Sequence, residues 1–186
     1  MKIDDHLKAA IVKMRPADKD KLLLRLIAKD QILVKKLQFE LLEDSSSTDE
    51  RVRDLEQQIK KWLTAASGSS QTPGYLLMDF RSCNPHITEH MKVTKDKFGE
   101  VLLTFRMLHI GLQINQTILM KFKPARFDTL APYVVRRMLQ MQEKMNKLHE
   151  DYQFELKKEL NAIMEIIFTG YPVIAALAVS EGLEQP

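Results

Sequence analysis

Residues 132–170 read PYVVRRMLQMQEKMNKLHEDYQFELKKELNAIMEIIFTG, and their apolar positions recur at Val134, Met138, Met141, Met145, Leu148, Tyr152, Leu156, Leu160, Ile163 and Ile167. Steps of three and four residues trace one face of an α-helix. Their mean, about 3.67, is closer to an eleven-residue repeat than to a heptad and predicts nearly straight packing rather than a left-handed coiled coil. As one helix the stretch would extend about 57 Å, while a compact globule of this length is about 40 Å across. Either one helix projects and finds a partner, or it breaks around His149-Glu150-Asp151, where the polarity peaks; because the stripe keeps its phase through that point, one unbroken amphipathic helix is the preferred expectation.

Composition agrees with helix elsewhere. Only 6 Gly and 7 Pro punctuate 186 residues, β-branched alternation is scarce, and Leu, Lys, Glu, Gln and Met are plentiful. The expected fold class is all-α, a multi-helix bundle with an N-terminal helical hairpin and one long C-terminal amphipathic helix. Asp4 or Asp5 is placed to cap a first helix that Pro16 ends. A second begins at Pro16, and its run Leu22, Leu23, Leu24, Leu26, Ile27 suggests a central position. Asp30 reads as the N-cap of Gln31 to Leu42, giving a hairpin over 17–43 that resembles one unit of the HEAT or armadillo class without a second copy.

After a polar break from Asp44 to Thr48, Thr48 or Asp49 is expected to cap a helix to Ala66. The stretch Ser67 to Gly74 is uncharged, rich in Ser and Gly and reads as a linker. Three segments follow: an N-terminal subdomain 1–66, the linker 67–74, and a C-terminal bundle 75–186 that either stands alone or shares one core with the first. Asn84-Pro85 predicts a helix stop and a new start, with a short helix from Pro85 to Met91. Thr94 is expected to cap a helix to about Phe122, apolar on two faces and therefore sandwiched. Asn115 and Gln116 interrupt one of those faces and should bond within the core or mark an interface. Asp128 or Thr129 then caps the long stripe.

Net charge is +3, unevenly spread: residues 75–148 carry 12 basic and 6 acidic side chains, and residues 149–186 carry 2 and 7. A basic middle segment admits an anionic partner such as nucleic acid. The single cysteine, Cys83, rules out an internal disulfide and fits a reducing compartment. The opening MKIDDHLKAA has acids where a signal peptide needs an apolar core. The run Ile166 to Val179 is interrupted by Thr169, Gly170 and Pro172, short of the ~20 residues of a membrane helix. A cytoplasmic protein with no membrane partner is expected.

Chemistry concentrates at Cys83-Asn84-Pro85-His86-Ile87-Thr88-Glu89-His90. With Asn84 as N-cap, His86 and His90 fall one turn apart on one helix face with Glu89 beside them. Two imidazoles so placed are metal-ligand candidates, and Cys83 adds a thiol, with Asp79 four residues before it. His86-Ile-Thr-Glu89-His90 resembles the H-x-x-E-H signature of inverzincin metallopeptidases. That resemblance implies zinc held by His86 and His90, water activated by Glu89, and a downstream glutamate as third ligand, for which Glu165 stands at about the family's separation. Arg81-Ser-Cys-Asn-Pro-His86 is similar to the motif of HEPN-type all-α ribonucleases. That similarity implies Arg81 and His86 acting on an RNA backbone without metal, in a dimer.

His109, His149 and His6 read as structural or local, and no Gly-rich phosphate loop appears. The preferred reading is a non-enzymatic helical scaffold or protein-interaction module that self-associates or binds a partner protein through the long stripe. The alternatives are a zinc-binding protein or metal-dependent hydrolase at Cys83, His86, Glu89, His90 and Glu165, and an RNA-binding or ribonuclease domain at Arg81 and His86.

Overall fold

In a computed structural model, residues 3–43, 47–68 and 71–183 are described. Among them are nine α-helices and no strand: α1 Asp5–Lys13, α2 Pro16–Ile27, α3 Gln31–Leu42, α4 Ser47–Ala66, α5 Pro73–Thr94, α6 Lys97–Leu119, α7 Leu130–Met145, α8 Glu150–Gly170 and α9 Pro172–Ser180, with a 3-10 turn at Pro124–Phe127. The all-α bundle expected from composition is what forms. The chain divides into two compact units, residues 1–44 and 45–186. The boundary therefore precedes α4 instead of following it, and 67–74 joins two helices of the same unit. Asp44, Ser45 and Ser46 of the polar break, and Ser69 and Ser70 of the linker, lie outside the described residues.

In the first unit, α2 and α3 pair as a hairpin, and Asp30 caps α3 by accepting from the amides of Ile32 (3.0 Å) and Leu33 (3.1 Å). Pro16 stands in the first turn of α2, where its missing N–H costs nothing. The central position expected of α2 is not found: none of the described residues 3–43 is buried. Three short helices in so few residues do not enclose a core.

The second unit is built around α6, which packs against α4, α5, α7 and α8. Both of its apolar faces are used, with Val101, Phe105, Leu108 and Leu112 buried on one and Leu103 and Met107 on the other. Asn115, fully buried, turns its amide back to the Gly111 carbonyl (2.9 Å) and so bonds within the core. Its start is fixed by Asp96, whose carboxylate accepts from the Gly99 amide (2.8 Å). Thr94, expected as the cap, instead accepts from the Asp96 amide (3.1 Å) and donates to the His90 carbonyl (2.8 Å). Ser47 already begins α4, so Thr48 and Asp49 fall in its first turn.

The long stripe is two helices. After Met145 the chain leaves the helix, and His149, extended at ψ 150, becomes the N-cap of α8. No Gly or Pro forces this. The carbonyls released at the break are taken up by Gln153, which donates to Leu148 (2.8 Å) and Asn146 (3.3 Å), and Glu150 and Asp151 meet the positive end of α8. Breaking there lets both halves reach the core: Val134, Met138, Met141 and Met145 are buried from α7, and Leu156, Leu160, Ile163 and Ile167 from α8. An unbroken helix would carry one half into solvent. The helix expected to stop at Asn84 runs on, with Pro85 inside α5. An interior proline costs ~3 kcal/mol, but burial of Phe80, Cys83 and Ile87 on either side of it, at about 1.5–3 kcal/mol for a large apolar side chain, outweighs that.

Between α8 and α9 the buried Tyr171 hydroxyl donates to the Leu112 carbonyl of α6 (2.6 Å), and burial pushes its phenol pKa up. Ile166 to Val179 is thus divided, and among the described residues no helix is long and apolar enough to cross a membrane. Two glycines mark the closest approaches to α6. A Cβ on Gly111 would lie 2.3 Å from Phe80 Cε1, and one on Gly170 would lie 2.0 Å from Gln116 Nε2. Gly111→Ala, pressed against an aromatic ring that is itself fully buried, should cost about 1–3 kcal/mol in urea unfolding followed by circular dichroism. Gly74→Ala, whose Cβ meets only Thr72 Oγ1 at 3.9 Å, should be neutral or stabilising. Equal effects from the two would contradict the packing described.

Candidate functional site on helix α5

Helix α5 begins at Thr72, whose hydroxyl accepts from the Tyr75 amide (3.2 Å), and its buried side, Leu76, Leu77, Phe80, Cys83 and Ile87, faces the core. The outward side carries Arg81, Ser82, Pro85 and His86, all exposed. Pro85 has no N–H, so the Arg81 carbonyl on this ridge lacks its usual donor four residues on. Each flank of the ridge meets a different helix.

Toward α4, the side chains of Asp79, Ser82, Cys83 and His86 face Trp62, Leu63, Ala65 and Ala66 across a cleft of about 620 Å³. The His86 and Trp62 rings lie 4.6 Å apart, tilted by 40°. Trp62 is 38% exposed, so the pair offers aromatic surface to solvent. Asp79 accepts from the buried Gln71 amide (2.7 Å). Burial raises the Cys83 thiol to about 11; a bond from Ser82 opposes it, and Asp79 adds a smaller push upward. At neutral pH it is a neutral thiol and a poor nucleophile.

The predicted metal constellation is dispersed. His86 sits in mid-helix, not at an N-terminus. His90 is buried and turns to the α5–α6 corner, where its Nε2 is 3.2 Å from Asp96 Oδ2. Glu89 is half-buried, and Glu165 is exposed on α8. Among the described residues no three His, Cys, Asp or Glu side chains come together to hold a metal ion. Burial alone would raise the Asp96 carboxyl, but the bonds from His90 and the Gly99 amide prevail and hold it below the ordinary carboxylate range.

Toward α7, Phe80 stacks with Tyr133 at 6.2 Å, and Arg137 donates through one Nη to Asn84 Oδ1 and through the other to Gln140 Oε1 (3.4 Å). The Arg137 Nε is buried without a partner. Burial raises the Tyr133 phenol, while Arg137 and Arg81 pull the other way. Neither Asn84 nor Arg137 was legible as a site residue, because their pairing joins residues 53 apart.

A second group was also missed. Arg106 of α6 pairs with Glu56 of α4 and with Glu159 of α8 (2.9 Å), bordering a groove of about 650 Å³ that Phe98, Tyr152 and Asp96 also line. A lone arginine in a helix apolar on two faces was the available signal. His149 does form the local charge cluster expected of it, 3.2 Å from Asp151, and His109 is half-buried.

Compared with known proteins, the chain matches no family model, and no curated protein or solved structure matches it significantly.

Two outcomes follow from this geometry. Cys83 should resist a thiol reagent such as DTNB in the native protein and react fully on unfolding; rapid native labelling would contradict its burial. Because the Asp96 carboxyl is depressed on folding, its contribution is complete above the unfolded value near ~3.9 and is lost as pH falls through the lower folded value. Asp96→Asn, which keeps the cap acceptor and removes the charge, should therefore cost about 0.3–1 kcal/mol at pH 7, and the gap from the parent should close in acid when urea midpoints are compared across pH.

Proposed function

We propose that the protein is a non-enzymatic helical interaction module that pairs with a second copy of itself through the apolar surface of α1–α3. The observation that carries this reading is the exposure of large apolar side chains there, Leu24 at 67%, Leu41 at 73% and Leu42 at 81% among them, with Leu7, Val12, Leu23 and Leu26 also more than half exposed. Scattered exposed leucines are ordinary, but this many in three short helices with no buried residue mark a surface that gains by being covered.

Eight of the ten positions of the 132–170 stripe are buried inside the second unit, which leaves little of it to cover a partner and favours α1–α3. Residues 1–44 carry ten basic and eight acidic side chains, so like-charge repulsion between copies is weak. Closed homo-oligomers are the commonest assemblies, and a two-fold pair lets one apolar patch cover its own copy. The reading includes a cytoplasmic location, supported by the single cysteine, which is buried and free.

Light scattering on the full chain across a hundredfold concentration range should give a dimer mass, and Leu24→Asp with Leu41→Asp should return a monomer with unchanged helical content. A monomer throughout, or a dimer indifferent to both substitutions, would overturn the proposal. A monomeric parent destabilised by the same changes would assign the surface to an intramolecular contact instead.

A further inference from the structure

The two flanks of α5 carry different chemistries along one ridge. Tyr133 faces Phe80 and Arg137 faces Asn84, and both pairs are separated by 53 residues. Contacts at a constant offset, one helical turn apart, mean that α5 and α7 run parallel and in register. Lys92, also exposed, stands further along α5. From Arg81 to Lys92 is eleven residues, about 16 Å along a helix.

Basic and amide side chains thus recur along two parallel helices as a line. Of the carboxylates near this line, Glu100 is held by Lys144 (2.6 Å) and Glu143 by Lys147 (2.6 Å), Glu89 is half-buried, and Asp79, half-buried on the α4 flank, accepts from the Gln71 amide. The Arg137 guanidinium hydrogen-bonds the neutral amides of Asn84 and Gln140, which do not cancel its charge. On the other flank of the same ridge stand the aromatic rings of His86 and Trp62.

We propose that this ridge binds a single-stranded polynucleotide, with phosphates along Arg81, Arg137 and Lys92 and a base stacked on the His86–Trp62 pair. Arg, Lys, Asn, Gln and Tyr are the side chains that hold phosphodiester oxygens, and a line of charge suits a polyanion where a lone phosphate would need a closed pocket. At ~3.4 Å per nucleotide of a strand, about five phosphates would lie along it. A basic track beside an exposed aromatic platform is the arrangement that holds single strands without reading sequence. The proposal concerns binding only, and it stands independently of α1–α3.

Trp62 is the chain's single tryptophan, so its fluorescence reports occupancy of the stacking position directly. Oligo(dT) and oligo(U) of about 20 nucleotides should each quench it and raise the anisotropy of a labelled strand at about 50 mM salt, with binding much weakened at about 200 mM. Tighter binding of oligo(U) would name RNA as the source, and equal binding would name either strand. Arg81→Gln, on the exposed ridge where folding is not at stake, should weaken binding about five- to tenfold and lower the salt slope by about 0.7. Arg137→Gln should do the same, and His86→Ala should remove the quench and weaken binding about fivefold. The proposal is overturned by no binding at low salt, by binding indifferent to Arg81→Gln, or by uptake of a phosphoserine peptide or phosphatidylserine vesicles in place of the oligonucleotides.

Discussion

The second unit depends on burial of both apolar faces of α6. A helix with two apolar faces has no stable exposed position in water, and each neighbour reaches it with a single face. α4, α5, α7 and α8 each cover part of it, and Tyr171 ties the α8–α9 corner to its backbone through the Leu112 carbonyl. Where contact is closest, glycine is required: Gly111 admits the Phe80 ring, and Gly170 admits Gln116.

Two departures from local sequence rules follow from that demand. The 132–170 stripe remains in helical phase throughout, yet the chain breaks at Asn146–His149, because two shorter helices can both lie on the core and one long helix cannot. Pro85 carries a local instruction to stop, yet α5 continues through it, because the residues on either side are committed to the core. In both places apolar burial, summed over several side chains, exceeds a local preference of a few kcal/mol.

The same continuity of α5 decides the candidate site. A helix starting at Pro85 would have carried His86 and His90 together at its N-terminus. An unbroken helix instead holds His90 in the corner against Asp96 and His86 against Trp62. The motif of two histidines and a glutamate was legible, but the partners of each residue were not, since they lie on α4, α6 and α7. Arg137 and Arg106 had no motif at all, and their roles come from helices brought together across about fifty residues of chain.

The sequence by itself determined the helical class, the Asp30 cap, the two-faced character of α6, and the apolar positions of the 132–170 stripe, eight of ten of which are buried. These are local properties, written in periodicity and in side chains that bond their own neighbours. Only the tertiary structure decided where the long stripe breaks, that α5 passes through its proline, that the unit boundary precedes α4, and which residues meet on the flanks of α5. Those outcomes depend on competition for one buried surface, and no stretch of sequence contains its competitor.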